Sequence, residues 1–140
     1  MASGIQVNPQ VVETFNQLKI KHDISYAIFS LSDDLTEIVV QEVSANGDYD
    51  EFISKLPTDK CRYAVLDFKY TLNDGGQRDK IVFFAWTPDT ASIKDKMLFA
   101  SSKDALKKQL NGIHTEIQAT DLDEVEYEEV YNKVSSGGTK

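Results

Sequence analysis

Residues 80–86 read Lys-Ile-Val-Phe-Phe-Ala-Trp, the most hydrophobic strand-like stretch in the chain. A strand with no polar face cannot lie against water on either side, so this run predicts a central strand covered above and below. Asn73-Asp74-Gly75-Gly76, the strongest turn signal in the sequence, precedes it. Before that turn, residues 62–72 alternate two side-chain sets. Tyr63, Val65 and Asp67 fall on one face, and Ala64, Leu66, Phe68 and Tyr70 on the other. Such an apolar hairpin commits the chain to a layered fold with helices on both sides of a sheet.

The flanking segments supply those helices. Asn8-Pro9 is a helix start, with Asn as cap and Pro at the first helical position, and Val12, Phe15 and Leu18 recur at helical spacing to about Ile20. Residues 24–31 and 36–43 form a strand pair around Ser32-Asp33-Asp34, and a short helix opens at Asp48 and stops at Leu56-Pro57. A long helix is predicted over residues 90–110, ended by Asn111-Gly112. A strand over 116–119 and a helix over 122–134 complete the chain. The order α-β-β-α-β-β-α-β-α predicts an α/β (α+β) fold in which a central mixed sheet of about five strands is sandwiched between helices. At 140 residues the chain is expected to be one domain over 7–134, with residues 1–6 and 135–140 as flexible segments.

Function classes narrow quickly. No apolar run is long enough to span a bilayer, the N-terminus lacks a signal-peptide core, and the lone cysteine, Cys61, cannot form an internal disulfide. A cytoplasmic monomer is expected. The net charge of −8 removes the basic footprint of a nucleic-acid binder. His22 and His114 have no companions at metal-ligand or triad spacing, and Gly75-Gly76 lies in a turn and not in a phosphate loop. Neither a cofactor nor a metal is expected. An enzyme built on Asp67 or Asp89 near strand ends is the weakest reading, because neither has a partner nucleophile or base.

The charge is unevenly spread. Residues 116–134 hold seven acids against Lys133, whereas residues 91–110 hold five lysines against Asp95 and Asp104. At ~100° per residue, Leu98, Phe99, Ala105, Leu106 and Leu110 share one arc of the long helix, facing the sheet. The opposite arc gathers Lys94, Lys96, Lys103, Lys107 and Lys108 with Ile93, Met97 and Ala100 among them. An apolar anchor inside a basic rim suits a protein partner, whereas a purely solvated face has little use for it. Packing of Ile93 and Met97 on a neighbouring loop is the competing explanation. Ser101-Ser102 can back-bond to the preceding turn.

At this helix the sequence resembles the ADF/cofilin family of actin-depolymerising proteins. The resemblance rests on Trp86-Thr87-Pro88-Asp89-Thr90-Ala91, Ile93-Lys94-Asp95-Lys96-Met97 and Ala100-Ser101-Ser102-Lys103-Asp104-Ala105-Leu106-Lys107-Lys108. It extends to Ala2-Ser3-Gly4-Ile5, Thr36-Glu37-Ile38-Val39-Val40, Leu56-Pro57, Cys61-Arg62-Tyr63-Ala64, Lys80-Ile81-Val82-Phe83-Phe84 and Glu116-Ile117-Gln118-Ala119-Thr120-Asp121. It implies an actin-depolymerising-factor homology fold that binds ADP-actin monomers and filaments and promotes severing and turnover. The implied surface for monomers and filaments is Ser3, Gly4, Ile5, Lys94, Lys96, Met97, Lys103 and Asp104. The implied filament-specific surface is Arg78, Lys80 and Lys133.

The resemblance also implies regulation. Phosphorylation of Ser3 would put negative charge at the actin interface. Phosphoinositide headgroups would compete for Lys94, Lys96, Lys103, Lys107 and Lys108. The chain departs from the family pattern in places. Ser92 stands where proline is usual, and Asp95 stands where serine is usual, lessening attraction to actin locally. Asp79 comes between the two strand cations, and Asn132 and Ser136 replace charged residues of fungal relatives. Thr115, not His114, aligns with the pH-sensing histidine of some animal members, so pH sensing is not carried over. Weak filament activity, as in a monomer sequesterer, is the principal alternative. Side-binding without severing, as in coactosin, and debranching, as in glia maturation factor, fit less well because Lys94–Met97 is intact.

Overall fold

The computed structural model describes residues 5–45, 48–71 and 75–135. Six strands form one sheet: β1 (Gln6–Val7), β2 (Tyr26–Leu31), β3 (Glu37–Ser44), β4 (Arg62–Thr71), β5 (Gln77–Trp86) and β6 (Thr115–Ala119). Their order is β1-β3-β2-β4-β5-β6, antiparallel at its centre and parallel at both edges, where β1 pairs with β3 and β6 with β5. The helices are α1 (Pro9–Asn16), α2 (Tyr49–Ser54), α3 (Ile93–Gln109) and α4 (Tyr127–Ser135). A π-helical turn, Gln17–Lys21, extends α1, and a 3-10 turn, Leu122–Val125, precedes α4.

The alternation in β4 and β5 divides the core in two. Tyr63, Val65, Phe83 and Ala85 meet Val11, Phe15 and Leu18 of the first helical segment and Phe99, Leu106 and Leu110 at α3. Ala64, Leu66, Phe68, Tyr70, Val82, Phe84 and Trp86 meet Phe52 of α2, Val125, and Val130 and Val134 of α4. Residues 82–86 are all buried, as a run with no polar face requires. The Trp86 indole donates to the Pro57 carbonyl at 2.7 Å, so even the largest ring in the strand satisfies its one donor.

Four boundaries differ from the sequence reading. The sheet gains a sixth strand at its edge. Gln6 lies in it, and Ile5 is only 7% exposed within the core on the α1/α3 side, so the folded body begins before residue 7. A two-residue strand has no periodicity to detect; it is held by partners such as Gln6 N–H to the Thr36 carbonyl at 3.0 Å. Helix α3 starts at Ile93 because the Ser92 side chain caps it, accepting from Asp95 N–H at 3.0 Å. The acidic 122–134 segment is broken at Glu126, whose extended backbone separates the 3-10 turn from α4. Asp121 caps the 3-10 turn at Glu124 N–H, and Glu124 in turn accepts from Thr120, fixing that break. On α3, Ala105 is exposed and Ser102 takes the inward place.

Candidate functional site

Helix α3 is the element that carries the candidate surface. Its inward line is Asp95, Phe99, Ser102, Leu106 and Leu110, spaced three or four residues apart. Ser102 is tolerated there because its hydroxyl donates to the Leu98 carbonyl at 2.8 Å and lies 2.9 Å from the Tyr63 hydroxyl. Ser101 also back-bonds to Leu98, at 3.1 Å, as the hydroxyl pair predicts. The Tyr63 hydroxyl donates to the Phe99 carbonyl, pinning the middle of α3 to β4, and burial pushes that phenol's pKa up.

The outward line opposes this one. Ile93 is 76% exposed and Met97 65%, with Lys94, Ala100, Asp104 and Lys108 exposed beside them. These values dispose of packing on a neighbouring loop. The remaining lysines form a flank that is already engaged. Lys96 Nζ donates to the Asp89 carbonyl at 3.0 Å. Lys103 Nζ reaches Glu116 at 2.9 Å and Gln118 at 3.0 Å, and Lys107 also pairs with Glu116. The two ammonium groups hold the Glu116 carboxyl below its ordinary pKa against the opposing pull of burial. The basic rim is therefore of two kinds, with lysines open to a partner and lysines tied back to the loop before the helix or to β6.

Ser3 and Gly4 lie outside the described residues. Ile5 is buried in the core on the α1/α3 side, so its side chain offers little surface to a partner. It lines an open cleft of about 1150 Å³ shared with Ala105 and Gln109, which places the start of the described chain beside the C-terminal half of α3.

The second predicted surface is assembled across the sheet. Strand alternation turns Arg78 and Lys80 to the α4 side, with Val82 and Phe84. Arg78 pairs with Tyr70 across β4 and β5, and Tyr70 meets Tyr131 of α4 edge-on at 5.6 Å. That ring contact brings the α4 turn carrying Lys133 to the strand end carrying Arg78. Asp79 points to the other face. Its carboxylate lies within 4.8 Å of His22 and Asp67 side-chain donors, so it does not stand between the two cations in space. Asn132 is exposed on α4, and Ser136 lies outside the described residues.

His22, Asp67 and Asp79 are a grouping that sequence spacing hid, since they come from three separate elements. They are of metal-ligating type, but the Lys69 ammonium already lies 3.8 Å from the Asp67 carboxylate and supplies a countercharge. Burial, aided by Asp79, still leaves the Asp67 pKa above its ordinary value. His114 donates its backbone N–H to Ile81 and contacts the Thr115 hydroxyl at 2.7 Å; burial and Lys80 lower its pKa. Cys61 is fully buried, and burial together with the neighbouring Asp95 pushes its thiol up to about 12, which removes it as a nucleophile. No helix among the described residues is long and apolar enough to cross a membrane.

Known proteins are similar to this chain in sequence and in fold. A family model described as cofilin/tropomyosin-type actin-binding protein matches residues 4–135. Cofilin of Mycosarcoma maydis is 53% identical over 135 residues, covering 96% of this chain and 97% of that protein. Cofilin of Saccharomyces cerevisiae is 48% identical over 136 residues, covering 96% and 95%. The crystal structure of Streptomyces griseoflavus cofilin matches with a TM-score of 0.91 at 46% identity over 96% of this chain and 99% of that one. Plasmodium berghei actin depolymerization factor 2 matches with a TM-score of 0.88 at 31% identity, with the same coverage.

Proposed function

The chain belongs to the ADF/cofilin family of actin-binding proteins, and from that premise we propose how it engages actin and how that contact takes filaments apart. It is an actin-binding depolymerising factor and not an enzyme. The observation that carries the site is the outward line of α3, where Ile93 and Met97 stand exposed beside Lys94 on a helix pinned to the sheet. Met97 is the apolar anchor, Lys94 and Lys96 orient it, and Lys103 and Asp104 continue the same surface with the N-terminal Ser3 and Gly4. Ile5, buried in the core, supports this surface from within. Arg78, Lys80 and Lys133 form a second, filament-specific surface.

Depolymerisation requires no reacting group. A protein that binds one filament conformation more tightly shifts subunits toward it by the difference in affinity. Preference for ADP-actin places that action on older filament segments, and boundaries between decorated and bare stretches become the places of breakage. The protein acts as a monomer in the cytoplasm, on the actin cytoskeleton. Phosphoinositide headgroups compete for Lys94 and Lys108 directly, and for Lys103 and Lys107 only by displacing Glu116. Phosphorylation of Ser3 would oppose actin binding by charge.

Sedimentation with preassembled filaments tests the proposal. Co-pelleting together with a rise in soluble actin is the expected result. Soluble actin rising with none of this protein in the pellet would mean monomer sequestration and would remove the second surface. No change in either fraction would overturn the proposal.

A further inference from the structure

Asp95 lies between Lys94 and Lys96 in sequence, but not on the surface they share. It stands on the inward line of α3 and is half-buried. Its Oδ2 accepts the backbone N–H of Cys61 at 2.8 Å, the residue immediately before β4, while its own N–H donates to the Ser92 hydroxyl at 3.0 Å. The Cys61 side chain is fully buried, and Arg62 beside it begins the long ladder with β5 by pairing with Trp86. The half-buried Arg62 guanidinium donates to the Cys61 carbonyl at 2.8 Å and brings positive charge toward the Asp95 carboxylate.

The first turn of a helix has backbone donors with no partner inside the helix, so it frays unless something holds it. Here that turn carries Ile93 and Lys94, and Met97 opens the next one. Tyr63 holds α3 one turn further on, at Phe99. The Asp95–Cys61 bond is a direct tie between the first turn and the sheet.

We propose that Asp95 is a positioning residue, which locks the actin-binding first turn of α3 to the Cys61 amide and directs its own charge into the protein instead of toward the partner. This rests on the reading of α3 as the actin surface. It also reverses the expectation drawn from sequence, in which the Asp95 charge lessens attraction to actin. The two accounts differ in sign. If Asp95 repels actin, removing its charge tightens binding whatever replaces it. If Asp95 ties down the helix, only the loss of the acceptor matters. An untethered turn is competent for a fraction of the time, and the apparent affinity falls by that fraction.

The test compares Asp95→Ala with Asp95→Asn for binding to ADP-actin monomers, and tracks hydrogen exchange of the Cys61 amide by NMR. The Asn side-chain carbonyl still accepts the Cys61 N–H. Asp95→Asn is expected to bind within about twofold of the parent and to keep Cys61 protected. Asp95→Ala should weaken binding about five- to tenfold and speed Cys61 exchange, in line with loss of one charge-assisted hydrogen bond. If Asp95→Ala does not fold, Asp95→Ser takes its place, because its hydroxyl falls short of the amide. Tighter binding by both variants, or unchanged binding and exchange in Asp95→Ala, would overturn the proposal. A parent protein that is folded, protects Cys61 and binds no actin would instead overturn the actin reading and leave the tether standing.

Discussion

The α3 surface and the β5/α4 surface are built in opposite ways. On α3 the exposed anchors Ile93 and Met97 belong to one helix held at Asp95, Phe99 and Ser102 by side-chain hydrogen bonds. At the start of β5 the exposed Arg78 side chain donates to its neighbour Gln77, and Lys133 comes from another element brought near through two tyrosine rings. The first surface has apolar burial to offer and little ordering left to do. The second is rim charge on long side chains. Energetic hot spots are buried apolar and oriented charged groups, whereas rim charges mainly steer. The two surfaces should therefore differ in the size of mutational effect as well as in which form of actin they serve.

The largest effect is expected from Lys94→Ala with Lys96→Ala. Monomer and filament affinity should both fall roughly 10–100-fold, with thermal stability little changed, because both head groups lie outside the core. Fluorescence titration of labelled monomers and co-sedimentation of filaments measure the two. Arg78→Ala with Lys80→Ala should spare monomer binding and lower filament affinity by about three- to tenfold, more at low salt than at high. Equal losses on monomers and filaments would abolish the division into two surfaces.

The same contrast governs how much was legible in the sequence. The two-sided core was readable because residues 62–72 alternate two side-chain sets and residues 80–86 have no polar face, so both sides of the sheet had to be covered. Residues Ile93, Met97 and Ala100 could be placed outward from helical spacing alone. What spacing could not show were contacts between elements distant in the chain. Helical spacing gave Ser102 only a back-bond to the preceding turn and no place on the sheet-facing arc, yet it is buried, with the Tyr63 hydroxyl of β4 as its partner. Lys103 and Lys107 looked equivalent to Lys94, yet both are drawn to Glu116 of β6. Asp95 looked like a partner-facing charge because its acceptor bond goes to residue 61.

The Glu116 pair sharpens the comparison within α3 itself. Glu116→Gln should release the Lys103 and Lys107 charges and strengthen sedimentation with phosphoinositide-containing vesicles by about two- to fivefold, given ~1 kcal/mol per basic residue at an anionic surface. Unchanged vesicle binding would mean that those lysines do not reach the headgroups. The same carboxylate adds a pH dependence to stability. Its pKa is lowered in the folded protein, so the contribution is present above the ordinary carboxylate value of 4.5 and is lost as pH falls through the lower folded value. The parent should lose more stability than Glu116→Gln across that acidic window, by under about 1 kcal/mol because all three side chains are partly solvated.

The smallest effect is expected at Asp79, and it tests whether sequence neighbours are neighbours in space. Asp79 separates Arg78 from Lys80 in the chain, so a linear reading has it cancelling one of the two cations. In β5, however, successive side chains point to opposite faces, and Asp79 joins Asp67 and His22 on the α1 side. Arg78 and Lys80 extend to the opposite face, so the sheet separates their charges from its carboxylate, and solvent and salt screen what interaction remains. Asp79→Asn should therefore leave filament affinity within about twofold, well short of the Arg78/Lys80 pair, and should act instead on its own face by relieving the like-charge pressure on Asp67. An NMR titration of the Asp67 carboxyl in the variant should show its pKa moving down while filament co-sedimentation stays near that of the parent. A gain in filament affinity comparable to the loss from Arg78→Ala with Lys80→Ala would mean that actin feels Asp79 and its two flanking cations as one patch, and that the alternation of β5 does not separate them at the interface.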